Sequence, residues 1–469
     1  MSELSELTAS ALAETYRSRR LSPVEVARDA LGRIEHHQAA FNAFSHVEPD
    51  VTLAMAAASE MRWREGTPVS PLDGVPVTIK DNIDVAGWPS RKGSAVVPAT
   101  PARLDAPATA RLREAGTVIL GKTTMPEFGW KGTGDSPLTG ITRNPWNPAC
   151  TTGGSSAGAA AAAILGIGRI HIGTDGAGSV RIPAAFTGLV GLKSTFGRVA
   201  AAPISVMGVL AHLGPLTRTV EETAQAMAVI ARPDARDMMT TLPPLDWAGS
   251  LDDGVRGLRI AFSPALGQAV EVDPDIARHI EAAAQVFKAL GASVELADPG
   301  FADPVEALLA LWNAGAALAL AGMNADDRAR MDPGLVASAE AGARMSAADY
   351  IDALLYQRSA LAETMARFHQ RFDLLIAPTM PLPAFEAGRL TPGHGRYGEV
   401  WTNWSPFTYP FNLTQQPAIS VPAGLTASGL PVGLQIIGPY GDDLTVLRAA
   451  RAFERASPFP KLPDRLHNL

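Results

Sequence analysis

A single cysteine, Cys150, in 469 residues excludes an internal disulfide framework and any paired-cysteine metal or redox site. An excess of basic charge is also missing. Lysine and arginine number 40 against 47 acidic residues, and the formal net charge is -7. General nucleic-acid binding needs a basic face, so nucleic acid is not expected as a partner. The start of the chain, Met1-Ser2-Glu3-Leu4-Ser5-Glu6, lacks the basic and apolar stretches of a secretory leader. No run is long enough to read as a membrane span. The most apolar stretch, 308–323, is short, alanine-rich and interrupted by Asn313 and Gly315, so a buried helix is expected there. What remains is a chain that is 46% hydrophobic and 19% charged, able to bury a large core. The expectation is a soluble cytoplasmic enzyme, for which the sequons at Asn403 and Asn412 carry no meaning.

Helical and strand patterns alternate along the whole length. Ser22-Pro23-Val24-Glu25 is a capping box with proline at the first helical position. Val24, Ala27, Leu31 and Ile34 follow at helical spacing. Residues 1–65 therefore read as helices packed on a larger body. Strands are expected at 75–79, 117–120, 170–173, 188–192, 258–262, 292–296, 374–377, 418–421 and 432–437. Helices are expected at 107–115, at 156–165 and from Asp273 onward. Such alternation favours an α/β fold: one large domain, 1–469, with a central mixed twisted β-sheet covered by helices on both faces. Its core is expected at 72–196, with a more variable helical and pocket region at about 231–370. Proline- and glycine-rich connectors near 231–255 and 378–400 do not resemble long flexible linkers.

Two familiar patterns fail on context. Gly116-Thr117-Val118-Ile119-Leu120-Gly121-Lys122-Thr123 fits a phosphate-binding loop letter for letter. That loop needs a strand before its first glycine and a helix at its lysine, whereas here a helix precedes and a strand fills the middle. Gly154-Ser155-Ser156-Ala157-Gly158 fits a nucleophile elbow centred on Ser156. The elbow needs a strand running into the serine, but 144–150 reads as loop. Its base would come from His171, His212, His279, His369, His394 or His467, none with a distinctive neighbourhood.

A third constellation explains more residues together. Gly176-Ala177-Gly178-Ser179 offers small residues that let a loop turn several N–H groups inward, as an oxyanion site requires. Asp175 and Arg181 flank it as a plausible ion pair. Lys80 ends an apolar strand, Ser155 lies in a glycine-dense segment, and Ser179 follows the loop. One amine and two hydroxyls are the parts needed to cleave an amide without a metal or histidine. No cofactor and no metal are expected.

On these residues the chain resembles the amidase signature family. The likeness covers essentially the whole length. It is densest from about 72 to 196, in Gly153–Gly158, Gly173–Ala184 and the run 188–195, and returns in 407–418 and 429–435. The resemblance implies Lys80 as base, Ser155 as a bridging serine held by a cis peptide bond, and Ser179 as nucleophile. It also implies the N–H groups of Gly176, Ala177, Gly178 and Ser179 as an oxyanion hole. The three catalytic positions lie 75 and 24 residues apart. Ala157, Ala177 and Thr124 depart from commoner family residues, without removing a catalytic group. Ser156 is expected to position Lys80.

The chemistry sets a condition on Lys80. It can accept a proton only when neutral, which at pH 7 costs about 4.6 kcal/mol from its ordinary value near 10.4. Burial in a low-dielectric site can lower a lysine by about 3–5 units, enough to cover this. Asp81 is adjacent, and an ion pair with it would work against the role. Pocket candidates are Phe128, Gly129, Trp130, Thr152, Ile204, Met207, Trp312, Trp401 and Trp404. If several line the cleft, an apolar or aromatic amide is the expected substrate, with carbamates (urethanes) and esters as alternatives. Rivals are a glutaminase-type subunit of a tRNA-dependent amidotransferase and a non-catalytic scaffold. A monomer or homodimer is expected.

Overall fold

The computed structural model describes residues 3–460. Met1 and Ser2 of the leader reading lie outside them. An 11-stranded mixed sheet runs through the molecule. Its strands in chain order are β1 (Phe44–His46), β2 (Pro76–Lys80), β3 (Val118–Thr123), β4 (Ile170–Asp175), β5 (Val190–Lys193), β6 (His212–Thr217), β7 (Arg259–Phe262), β8 (Ser293–Leu296), β9 (Leu374–Pro378), β10 (Ala418–Leu425) and β11 (Pro431–Ile437). Across the sheet they stand in the order β1-β3-β2-β4-β6-β5-β10-β11-β9-β7-β8. β2 is parallel to both β3 and β4, β7 is parallel to β8 and β9, and the remaining pairs are antiparallel. The expected single-domain α/β architecture is what the chain adopts. β1 and β6 were not anticipated: β1 is too short to show a pattern, and Gly214-Pro215 interrupts β6.

Each central strand is buried on both sides, and alternate residues serve opposite faces. On β3, Val118 and Leu120 join one apolar layer and Ile119 the other. On β9, Leu375 and Ala377 face one layer, Leu374 and Ile376 the other. Helices Pro107–Glu114, Val220–Ile230, Pro274–Ala289 and Asp443–Ala456 cover one face. Helices Pro23–Phe41, Ala157–Ile164, Arg181–Thr187 and Val305–Ala319 cover the other. The capping box at Ser22 and Glu25 is formed, and Asp273 caps the helix that follows it.

Helix Ala157–Ile164 is completely buried, which its alanines permit. Gly158 lets it press against the chain. A Cβ there would stand 2.2 Å from the carbonyl oxygen of Ala43 and 2.4 Å from the amide nitrogen of Thr124. Two expectations need correction. Residues 144–150 are not simply loop, because Asn147–Thr151 pairs with Arg143–Asn144 in a small hairpin outside the main sheet. The apolar stretch at 308–323 is only partly buried. Its helix hides Leu308, Leu311 and Trp312 but leaves Leu318 65% exposed, at the rim of a cleft.

Candidate active site

Because β2 and β4 are parallel, their carboxyl ends open on the same edge, where ligands bind in sheets of this kind. β2 ends with Lys80 and β4 with Thr174 and Asp175. The segment leading into helix Ala157–Ile164 sets Ser155 and Ser156 beside them. The Gly154–Ser155 peptide bond is cis. Lys80 is fully buried, and its Nζ stands 2.7 Å from Ser155 Oγ, 3.0 Å from Ser156 Oγ and 2.9 Å from Thr174 Oγ1. Asn82 Nδ2 also donates to Thr174 Oγ1, at 3.2 Å. Burial pulls the Lys80 ammonium down to about 7, against a smaller opposing pull from Asp175. Asp81 turns away: its carboxylate accepts from the Gly93 N–H at 2.8 Å and from Ser45 Oγ at 3.3 Å.

The loop 175–181 is built around a buried ion pair. Arg181 Nε and Nη2 donate to the two oxygens of Asp175, each at 3.0 Å. The rest of the guanidinium fork donates to Thr408 O and Gln435 Oε1, both at 2.8 Å, and to Asn412 Oδ1 at 2.6 Å. Burial alone would raise the Asp175 carboxyl, but Arg181 and Asn412 hold it well below the usual range. Asp175 also accepts from the Gly178 N–H at 2.7 Å, and Thr408 Oγ1 ties down Ala177 O at 2.7 Å. Gly178 has φ 122°, and a Cβ there would meet Thr408 Oγ1 at 2.4 Å. Ser179 follows at the loop's end. Its carbonyl accepts from the Ser156 N–H at 3.1 Å, which couples the two serine segments.

Ser155, Ser179, Thr174 and Gly176 line one cleft of about 600 Å³. Of the pocket residues expected from sequence, Phe128, Gly129, Ile204, Met207 and Trp312 also line it. Trp130, Thr152, Trp401 and Trp404 do not, and that expectation is corrected. Trp404 is a core residue, stacked on Phe186 with its Nε1 donating to Leu390 O at 3.0 Å. Trp401 packs behind Trp312, with ring centroids 5.6 Å apart. Trp130 is buried and offers its carbonyl to Trp312 Nε1 at 3.1 Å. Thr152 is buried, with its hydroxyl donating to Gly153 O. Gly178 departs in a smaller way from the oxyanion reading, since its N–H already serves Asp175.

The nucleophile-elbow alternative finds none of its candidate histidines bonded to Ser156 among the described residues. His171 bonds Thr78, His279 bonds Leu425 O, His369 bonds Phe372 O, and His394 accepts from the Arg396 N–H. His212 reaches the cleft, but its Nδ1 is held by Leu210 O at 2.8 Å and its Nε2 faces Lys193. His467 lies outside the described residues. In the phosphate-loop pattern, Lys122 is buried and bonds Asp81 O and Ser90 Oγ, as a strand residue would. Sequence reasoning missed Thr174, Asn82, Thr408, Asn412 and Gln435. A threonine one place before Asp175 on an expected strand was the available hint for the first.

Known proteins resemble this chain over nearly its whole length. The Amidase family model matches residues 25–447. An acylamidase of Rhodococcus erythropolis is 35% identical over 463 residues, covering 97% of this chain and 96% of that protein. A glutamyl-tRNA(Gln) amidotransferase subunit from Geobacter metallireducens is 33% identical, covering 97% and 98%. Among solved structures, a bacterial aryl acylamidase superposes with TM-score 0.91 at 33% identity, covering 98% of each chain. A sheet of this order, a buried lysine against a cis-linked serine, and matches spanning nearly the whole length lead to one conclusion: the chain belongs to the amidase signature family of amidohydrolases.

Proposed function

We propose that this protein is a serine hydrolase that cleaves the C–N bond of small-molecule amides with apolar or aromatic substituents, through an acyl-enzyme on Ser179. The observation that carries the reading is Lys80, fully buried and 2.7 Å from Ser155 Oγ, with no carboxylate partner among the described residues. A neutral amine has two N–H groups and one lone pair. Ser156 Oγ, whose own hydrogen can go to Thr174 O at 3.3 Å, and Thr174 Oγ1 are placed to accept the two N–H groups. The lone pair then falls to the Ser155 hydroxyl.

Lys80 takes the Ser155 proton, and Ser155 takes the Ser179 proton as Ser179 Oγ attacks the substrate carbonyl. Negative charge collects on the carbonyl oxygen. The N–H groups of Gly176, Ala177 and Ser179 are the donors offered to it, and Gly178 joins them if it leaves Asp175. Ser155 returns a proton to the departing nitrogen, the C–N bond breaks, and the amine leaves. Water enters by the same relay and releases the carboxylic acid.

Phe128, Ile204, Met207, Trp312 and Leu318 give the cleft a broad apolar surface, which supports apolar or aryl amides over glutamine. The acylamidase and aryl acylamidase relatives support the same class. Carbamates and esters share the acyl-transfer geometry and fall within the reading. The amidotransferase relatives keep a glutaminase reading in the test. The test is turnover of primary amides, anilides, carbamates, esters and glutamine by the wild type and by Ser179→Ala. Anilide hydrolysis lost in Ser179→Ala, with a fluorophosphonate probe labelling Ser179, supports the proposal. Glutamine as the sole substrate, or full activity in Ser179→Ala, overturns it.

A further inference from the structure

Two charged side chains line the cleft, Asp84 and Lys92, and the relay uses neither. Lys92 lies on the segment between β2 and the helix Pro107–Glu114. It has φ 55°, and Phe128, its neighbour across the cleft wall, has φ 51°. Left-handed backbone at two non-glycine residues is costly and persists where the surroundings enforce it. Here they do. The Phe128 N–H donates to Lys92 O at 2.7 Å, the Gly93 N–H donates to Asp81 at 2.8 Å, and Ser94 Oγ donates to buried Glu127 at 2.6 Å. The wall so fixed carries the Lys92 ammonium over the Phe128 ring, 5.8 Å from its centroid. Among the described residues no carboxylate lies within ion-pair distance of that ammonium, and no hydrogen bond uses its three donors.

The place of the pair along the chain bears on which half of the substrate it meets. Gly129, next to Phe128, lies against Ser155: a Cβ at Gly129 would stand 3.1 Å from Ser155 Oγ. Ser155 is the group that protonates the leaving nitrogen in the reading above, on which this inference rests. We propose that Lys92 is a specificity-determining residue that binds a carboxylate carried by the amine half of the substrate. The Phe128 ring supplies the apolar face for the body of that amine. The favoured substrates are then N-acyl amino acids and N-acyl aminobenzoates rather than uncharged anilides. A monoanion suits the site better than a phosphate dianion, because Asp84 is the other charge on the lining.

The test compares 4-acetamidobenzoate with 4-nitroacetanilide, whose nitro group has the shape of a carboxylate without its charge. Intrinsic reactivity cancels when the ratio of their kcat/KM values is compared between proteins. In Lys92→Met the carboxylate-to-nitro ratio is expected to fall about tenfold, and Lys92→Arg is expected to retain most of it. A ratio unchanged within twofold in Lys92→Met overturns the proposal. A second arm needs no turnover: calorimetric binding of 4-aminobenzoate and 4-nitroaniline to Ser179→Ala, with and without Lys92→Met. Weakening of 4-aminobenzoate alone supports the subsite even if anilides prove not to be substrates. Equal binding by both proteins overturns it while leaving the hydrolase reading standing.

Discussion

The floor of the cleft and its outer wall are built on opposite terms. The floor is Lys80, Ser155, Ser156, Thr174 and the loop from Asp175 to Arg181. Every side chain there is buried or nearly so, and most polar atoms have partners inside the protein. The outer wall is the 201–211 segment and the helix Val305–Ala319. There Ile204 is 44%, Val206 38% and Leu318 65% exposed, and contacts are apolar. The difference teaches where each task can reside. A lysine stays neutral near pH 7 only if water is shut out and its neighbours are fixed to a few tenths of an ångström. Apolar recognition needs only shape and area, so an exposed, replaceable surface suffices.

The contrast breaks most sharply at the floor. Ser179→Ala should lower kcat/KM by about 10⁴-fold or more, since the residues of such a relay act as a unit. Steady-state kinetics on an anilide check this, and an unchanged melting temperature separates chemistry from folding. Lys80→Met should cost about 10²–10⁴-fold. The wild-type rate should rise with pH through about 7 and level off above it, because the proposed relay needs the neutral amine. The same shift affects stability. The folded lysine titrates lower than the unfolded one, so the penalty of burying its charge is complete below about 7. It is relieved as pH rises from about 7 toward about 10.4. Lys80→Met should therefore be more stable than wild type at pH 6, with the gap narrower but still open at pH 9 in denaturant titrations.

Asp175→Asn leaves Arg181 buried without its counter-charge, and should cost about 3–5 kcal/mol of folding stability as well as activity. Thr174→Val should lower kcat by about tenfold. It removes an acceptor that favours the charged amine, so the midpoint of the pH–rate profile should move to lower pH. The smallest effect belongs to the wall. Trp312→Ala should change kcat/KM for aryl amides by several-fold and leave the pH midpoint in place. A shift in that midpoint would mean that wall and floor are not separable.

The β2 strand, the all-small helix and the Asp175–Arg181 flanks were legible because each is a local pattern: an apolar run, alanine and glycine density, opposite charges beside a tight loop. The aromatic residues were not sorted correctly. Trp312 and Trp404 look alike in sequence, yet one faces the cleft and the other stacks on Phe186. Nothing local distinguishes them, because the partners of Trp404 come from residues about 200 positions earlier and from the neighbouring Phe385 and Leu390. The service of Asn412 and Gln435 to Arg181 was hidden for the same reason, across separations of 231 and 254 residues.

By itself the sequence determined which groups are present for chemistry: one amine after an apolar strand, two serines among glycines, and no second cysteine to offer another route. It also determined the alternation that commits the chain to a helix-covered sheet. Tertiary structure alone decided that Lys80 meets two serines and a threonine instead of Asp81, and which tryptophan lines the cleft. The reason is physical. Residue type sets what a group can do, but its proton affinity and its access to a ligand depend on the dielectric and the neighbours that folding brings from elsewhere in the chain.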